Sequence, residues 1–192
     1  MSERSFSERR RSLVGKRVLI VAPGPSSSLP YLEVDFTIAC NLSVLTHKAD
    51  LWVVVDKPDM IQPEERRQQF FSVDRSIPMA CPVWSKGLWG DRDIGLFEVA
   101  NPFHCRAFPT GIETREGMPL FPWFGGCPTT AAALAVYMGA SIIALAGVDY
   151  TSERTPNAEK ARKIQHVWSK IRAINPRCQF VQTNPASLVQ FA

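Results

Sequence analysis

RVLIVAPGPSSS, residues 17–28, is the stretch that decides the fold. Its first part, RVLIVA (17–22), has one arginine followed by a continuous apolar run of strand length. Such a run is typical of a parallel strand buried on both faces. The run ends in Pro-Gly-Pro and three serines, which favour a tight turn and the start of a helix. A buried strand that leads into such a turn indicates the first strand of a nucleotide-binding α/β sheet.

The rest of the chain follows the same plan of buried strands and helices. Further strands are predicted at residues 36–40 (FTIAC), 51–55 (LWVVV), 77–83, 141–146 (SIIALA) and 179–182. Helices are predicted at residues 63–71, 127–138 and 156–174, the last of them amphipathic. Strands that alternate with helices across short turns predict an α/β, Rossmann-like, doubly wound fold with a mostly parallel sheet.

Two segments depart from this plan. Residues 75–122 carry many aromatic, glycine and proline residues without a regular period, and they predict either an irregular insertion or lid near the site, or a satellite aromatic core under long loops. Residues 1–16 are polar and rich in arginine, so they predict a flexible basic N-terminal arm with no core to bury. Residues 17–192 are then expected to form a single nucleotide-binding domain.

Composition narrows the class of protein. The chain has 192 residues, of which 45% are hydrophobic, and these values suit one well-cored globular domain. No apolar run is long enough to span a bilayer and no secretory signal is present, so we expect a cytoplasmic protein. The five cysteines lack metal-ligand spacing. The net charge of +4 comes partly from the N-terminal arm, so a nucleic-acid surface is not predicted. Homo-oligomerisation stays open.

The candidate site lies where the strands end, because ligands of open α/β sheets bind outside the carboxyl ends of the strands. The residues at these ends are Gly24, Pro25, Ser26 and Ser27 after the first strand, Asn41, Asp56, then Gly125, Gly126 and Thr129 before a helix, and Asp149 with Tyr150. The serine turn and the Gly125-Gly126 helix start are expected to bind phosphate, since helix N-termini carry free N–H groups and partial positive charge.

Each of these residues also has an alternative role. Gly24 admits a ligand to the backbone or simply makes a tight turn, and the segment matches neither the dinucleotide nor the P-loop glycine pattern. Asn41 could read a base or a sugar hydroxyl, or cap a short helix. Asp56 and Asp149 could bind a magnesium ion, a ribose hydroxyl or a helix end. Tyr150 could donate to a leaving phosphate or pack.

His166 is the histidine that falls on a predicted helix. Its spacing from Arg162 and Lys170 places it on a charged face. A solvated surface histidine is one interpretation and a general base is the other. We therefore keep His166 with Asp149 and Tyr150 as the candidate catalytic residues.

Three segments resemble a known family in their order and spacing. Residues 18–29 (VLIVAPGPSSSL), 49–60 (ADLWVVVDKPDM) and 125–151 (GGCPTTAAALAVYMGASIIALAGVDYT) resemble the domain shared by archaeal 6-hydroxymethylpterin diphosphokinase-like proteins and flagellin-modifying motility accessory factors. The same landmarks are similar to bacterial lipooligosaccharide sialyltransferases, which use a CMP-sugar. The lid with a catalytic histidine and a second tyrosine, which those sialyltransferases carry after this segment, has no clear counterpart here.

The resemblance implies a nucleotide-dependent transferase, most of all a glycosyltransferase-like enzyme that uses a nucleotide-activated sugar. Phosphate would then bind at the serine turn and at Gly125-Gly126, the nucleoside at Asn41 and Asp56, and the reaction would occur near Asp149 and Tyr150. One alternative is an ATP-dependent diphosphokinase that acts on a pterin-like alcohol and needs magnesium at Asp56 and Asp149. Another is a non-catalytic nucleotide-binding module. The acceptor is not predicted.

Overall fold

The computed structural model describes residues 3–28, 33–90, 92–105, 108–109, 111–113, 117–150, 158–185 and 187. The helices of these ranges are α1 (Glu64–Phe71), α2 (Cys127–Tyr137) and α3 (Ala158–Ile174). The strands are β1 (Glu3–Ser5), β2 (Arg17–Val21), β3 (Phe36–Cys40), β4 (Leu51–Val53), β5 (Met79–Pro82), β6 (Ile94–Ala100), β7 (Ile112–Glu113), β8 (Pro119–Pro122), β9 (Ile142–Ala146) and β10 (Gln179–Gln182). Within these ranges, no helix is long and apolar enough to cross a bilayer.

The described strands form one sheet in the order β10-β9-β2-β3-β4-β5-β6-β8-β7, and β1 pairs with β6 beside this path. Every pairing is parallel except the one between β7 and β8. The chain runs outward from β2 through β3 and β4, and it later returns to place β9 on the other side of β2. The predicted mostly parallel, Rossmann-like α/β sheet is confirmed.

Helices cover both faces of the sheet. Val18 and Ile20 of β2 lie in one core cluster with the buried alanines of α2 and with the apolar stripe of α3. On the opposite face, Trp52 of β4 packs in a second cluster with Phe70 of α1. Successive strand residues point to opposite faces, so an apolar run such as RVLIVA requires burial on both. Leu19 and Val21 of β2 are accordingly buried in a small third cluster with Ala144 and Ala146 of β9. This is the doubly wound arrangement that the sequence predicts.

The prediction of an irregular insertion at residues 75–122 is wrong for much of that segment. Strand β5 agrees with the strand predicted at residues 77–83, but β6 and β8 were not predicted, and all three extend the parallel sheet beyond β4. These strands contain Pro82, Gly95, Pro119 and Pro122, which are residue types that normally count against a strand. Tertiary pairing overrides that local preference, and the aromatic residues of the segment, such as Phe97 and Phe121, are buried in the core.

The prediction of an N-terminal arm with nothing to bury is also wrong. Residues 3–5 form β1 on the edge of β6, and Phe6 is fully buried. Its ring lies 6.3 Å from that of Phe97 and 6.2 Å from that of Phe121, both edge-on. Gly95 makes room for it, because a Cβ at Gly95 would lie 2.7 Å from the Phe6 ring. A single aromatic residue among charges thus anchors the segment, which average composition does not reveal.

Candidate functional site

A cleft of about 460 Å³ lies over the carboxyl ends of β9, β2, β3 and β4. Gly24 after β2, Asn41 after β3 and Asp56 after β4 line it, and so do Asp149 and Tyr150 after β9. Gly125 and Gly126, which precede α2, complete the set of predicted residues at its wall. β9 and β2 are neighbours from which the chain connections diverge, and this is where α/β sheets bind ligands.

The carboxylate of Asp149 is engaged by three donors and is almost fully buried. Its Oδ2 accepts the backbone N–H of Ser26 at 2.8 Å, and its Oδ1 accepts the Ser26 hydroxyl at 2.5 Å and the Asn184 side-chain amide at 2.5 Å. The Ser26 hydroxyl in turn accepts the N–H of Gly147 at 3.0 Å. Asp149 therefore joins the turn after β2 to the segments after β9 and β10; we call these contacts the Asp149 clamp.

Gly24 has a packing role that the sequence interpretation missed. A Cβ at Gly24 would collide with the Gly147 carbonyl oxygen and with the Asp149 carboxylate, and would lie 2.8 Å from the Gly147 carbonyl carbon. Gly147 has a φ of +67°, and a Cβ there would lie 3.0 Å from the Gly24 nitrogen. The absent side chain at Gly24 thus lets two backbone turns pack together. A bulky residue at Gly24 would therefore cost stability as well as space for a ligand.

The serine turn does not face the cleft in the way the sequence predicts. Ser26 is buried, and both its N–H and its hydroxyl are donated to Asp149. Pro25 and Ser27 are not among the residues that line the cleft, and the Ser27 carbonyl contacts the His47 ring nitrogen at 3.0 Å. The carboxylate of Asp149 accepts the hydrogen bonds that this turn would otherwise donate to a phosphate. Pro25, Ser26 and Ser27 are therefore removed from the candidate phosphate site.

The turn before α2 is held open toward the cleft. Gly126 is the N-cap of α2, with a φ of +79°. The Thr129 hydroxyl lies 2.9 Å from the Phe124 carbonyl oxygen and 2.8 Å from that of Gly126, and the Tyr150 hydroxyl donates to the Gly125 carbonyl at 2.6 Å. Thr129 is fully buried and does not line the cleft, so it supports the turn from behind.

Cys127, the first residue of α2, connects this turn to the ends of β3 and β4. Its thiol donates to the Asn41 side-chain oxygen at 3.0 Å and accepts the Val55 N–H at 3.3 Å. Burial, and then the negative charge of Asp56, raise the pKa of Cys127 to about 12, so the thiol stays protonated. With the Asn41 oxygen occupied in this way, the Nδ2 group is the part of that amide that remains to donate to a ligand.

Tyr150 is half-buried at the floor of the cleft. Burial raises the pKa of its phenol, which therefore keeps its proton at neutral pH. That proton is directed at the Gly125 carbonyl. Tyr150 can donate to a departing phosphate only if the ligand replaces that carbonyl as the acceptor.

The cleft lining includes further residues that the sequence interpretation does not single out, among them two aromatic residues and a lysine. Trp123 and Phe124 form an aromatic wall directly before the Gly125-Gly126 turn, and Lys160 of α3 supplies a cation. Their signal in the sequence is weak, because Trp and Phe are frequent in the whole segment and Lys160 is one of many charges on α3. Within the described ranges, no group of three or more acidic, histidine or cysteine side chains could hold a metal ion.

His166 lies outside the cleft. Its ring is exposed on α3 and stacks on Phe103 at 5.8 Å. Phe103 in turn packs edge-on against Phe124 at 5.1 Å. The structure thus places His166 behind the aromatic wall, and it is removed from the candidate catalytic residues.

Comparisons with known proteins show a similarity of fold only. No family model and no curated protein matches the chain. A solved structure named as the MAf glycosyltransferase from Magnetospirillum magneticum AMB-1 is similar, with a TM-score of 0.55 and 11% sequence identity. The match covers 97% of this chain and 36% of that chain, so the chain spans little more than a third of its length. The chain therefore shares its Rossmann-like α/β fold with part of a protein named as a glycosyltransferase.

Proposed function

We propose that this protein is a nucleotide-dependent transferase, glycosyltransferase-like, which uses a nucleotide-activated sugar. The observation that carries the proposal is the composition of the cleft. A helix N-terminus, a lysine, an amide, a carboxylate and two aromatic rings converge in about 460 Å³ at the switch point of the sheet. This volume suits a small-molecule ligand of nucleotide size.

The phosphates would bind at the N-terminus of α2. Cys127 lines the cleft, and its N–H group belongs to the first turn, where a helix provides no carbonyl partner. The helix dipole adds partial positive charge there, and Lys160 adds a full charge to the same cleft. Because the serine turn is occupied by Asp149, this position is the better supported of the two phosphate sites that the sequence suggests.

The ribose of the nucleoside would lie across the ends of β3 and β4. The Nδ2 group of Asn41 can donate to a carbonyl or hydroxyl oxygen, and the exposed carboxylate of Asp56 can accept from ribose hydroxyls. Both side chains follow parallel strands that are direct neighbours. The nucleoside and the phosphates would thereby lie within one continuous cleft.

Catalysis would come mainly from positioning and from stabilising the phosphate that departs from the sugar. Lys160 and the α2 amides would carry the developing negative charge. Asp149 would act through the clamp, by fixing the two turns that form the cleft floor, and Tyr150 would donate a proton after release from the Gly125 carbonyl.

The diphosphokinase alternative receives less support from the geometry. That reaction needs a magnesium ion between phosphates, and Asp56 and Asp149 are the carboxylates that line the cleft in the described part of the chain. The oxygens of Asp149 are already engaged by Ser26 and Asn184. A metal would have to displace donors from an almost fully buried carboxylate.

A binding module without turnover is the second candidate. It is favoured by one observation: the polar groups of Asp149 and Tyr150 are both committed to internal hydrogen bonds. Such a module would use the same nucleotide site, and consumption of the sugar nucleotide separates it from the transferase.

A thermal-shift screen tests the proposal. The unaltered protein is heated with CMP, UDP, GDP, ATP and the corresponding nucleotide sugars, with and without magnesium. A ligand at one hundred times its Kd stabilises the folded state by about 2.7 kcal/mol, which is a shift of about 5 to 10 °C for a chain of this length. Release of free sugar or nucleotide from the best ligand would support the transferase. Binding without consumption would support the module, and no binding at all would overturn both.

A further inference from the structure

Trp123 is a large aromatic side chain left exposed inside the cleft. It lines the cleft and is 43% exposed. An indole is among the side chains that gain most from burial, because it combines a large apolar face with one polar N–H group. An exposed indole on a concave wall therefore offers a contact surface that the fold itself does not use.

The backbone at Trp123 is fixed before any ligand arrives. Its N–H donates to the Ala100 carbonyl at 3.3 Å, and its own carbonyl accepts the Gly126 N–H at 3.0 Å. The adjacent Phe124 is braced edge-on by Phe103. The backbone at this position therefore has little conformational entropy to lose on binding, which favours affinity.

The cleft is divided by polarity. The polar side chains Asn41, Asp56 and Asp149 follow the strand ends, whereas Trp123, Phe124 and Ile164 form an apolar wall. Within a sugar nucleotide, ribose and sugar carry hydroxyl groups that need polar partners, and the base presents the flat apolar faces. The base is the part that matches the wall.

We propose, building on the function proposed above, that Trp123 is the stacking platform for the base of the bound nucleotide. Phosphate would bind at the start of α2, a few residues further along the chain, and ribose at the strand ends. Stacking accepts any base, because each has a π-face. The site would therefore distinguish nucleotides from plain sugar phosphates more strongly than it distinguishes one base from another.

The chain offers a matched control for this proposal. Trp84 is also 43% exposed, and it does not line the cleft. Trp123→Ala, Trp123→Phe and Trp84→Ala are compared by calorimetric titration with CMP, UMP, AMP, GMP and ribose 5-phosphate. Thermal unfolding of each variant checks that it is folded.

Trp123→Ala is expected to weaken the tightest-binding nucleoside monophosphate about tenfold, which corresponds to about 1.4 kcal/mol. Trp123→Phe should recover most of this loss, and Trp84→Ala should bind like the unaltered protein. Ribose 5-phosphate should bind the unaltered protein at least about tenfold more weakly than the best nucleotide, and Trp123→Ala should narrow that gap.

Two results would overturn the inference in distinguishable ways. Nucleotide binding that survives Trp123→Ala unchanged, or equal affinities for nucleotide and ribose 5-phosphate, would place the base elsewhere and leave the proposed function standing. Absence of nucleotide binding by the unaltered protein would overturn the proposed function and this inference with it.

Discussion

Replacing Asp149 by asparagine should destabilise the protein substantially, although the side chain keeps its shape. Oδ2 accepts the Ser26 N–H, and Oδ1 accepts the Ser26 hydroxyl and the Asn184 amide. The Ser26 hydroxyl accepts the Gly147 N–H and donates its own proton to Asp149. An asparagine has one oxygen and one N–H2 group, and in either orientation that N–H2 group meets a donor.

The magnitude follows from these contacts. One buried donor left without an acceptor costs about 1–3 kcal/mol, and each of the two remaining bonds loses its charge assistance, worth about 1 kcal/mol. The sum is about 3–5 kcal/mol. For a chain of about this length, each kcal/mol lowers the melting temperature by about 2–4 °C, so we expect a decrease of about 10 °C.

Urea unfolding and calorimetry measure this loss, with Asp56→Asn as the matched control. Asp56 is exposed in the same cleft, and its replacement should change the free energy of unfolding by less than about 0.5 kcal/mol. A double-mutant cycle of Ser26→Ala with Asp149→Ala should give a coupling energy of about 1–3 kcal/mol. A melting temperature within about 2 °C of the unaltered protein for Asp149→Asn, or zero coupling, would refute the clamp and return Asp149 to the candidate ligand-binding groups.

Three further predictions concern packing and protonation. Gly24→Ala should cost about 1–3 kcal/mol of stability in urea unfolding, because its Cβ would meet the Gly147 backbone; an unchanged midpoint would contradict the close approach of the two turns. Phe6→Ala should cost about 3–5 kcal/mol, whereas Phe71→Ala, at an exposed position, should cost far less; equal small effects would show that the N-terminal segment does not stabilise the fold. The pKa of Cys127 is raised from 9.0 to about 12 in the folded protein, so its contribution to stability is present below pH 9 and is lost as the pH rises toward 12. Iodoacetamide at pH 8 should therefore label Cys127 only when urea unfolds the chain, and rapid labelling of the folded protein, read by peptide mass spectrometry, would show an accessible thiolate.

Much of the fold can be predicted from local pattern. The strand at residues 36–40 and the helix start at Cys127 agree with the structure, because an apolar run of strand length and a glycine-rich helix start are properties of adjacent residues. Each of the residues Gly24, Asn41, Asp56 and Asp149 follows a predicted parallel strand. This was enough to predict that they line one cleft, since the carboxyl ends of parallel strands share one edge.

Other features depend on residues that are far apart in the chain. Ser26 and Asp149 are 123 positions apart, and neither carries a local sign that one satisfies the other. The same holds for Phe6, whose burial requires the missing side chain of Gly95, and for Trp123, whose exposure depends on which elements surround it.

The sequence by itself thus determined the class of fold, the direction of its strands and the edge at which a ligand would bind, because these follow from the period of apolar residues and from chain geometry. The tertiary structure alone decided which of the candidate residues face the cleft. In the tertiary structure Ser26 hydrogen-bonds to Asp149, and His166 lies behind the aromatic wall. Trp123 and Lys160 line the cleft, which the sequence did not predict. The physical reason is that hydrogen-bond satisfaction and burial are set by neighbours in space, and most of those neighbours are distant in the chain.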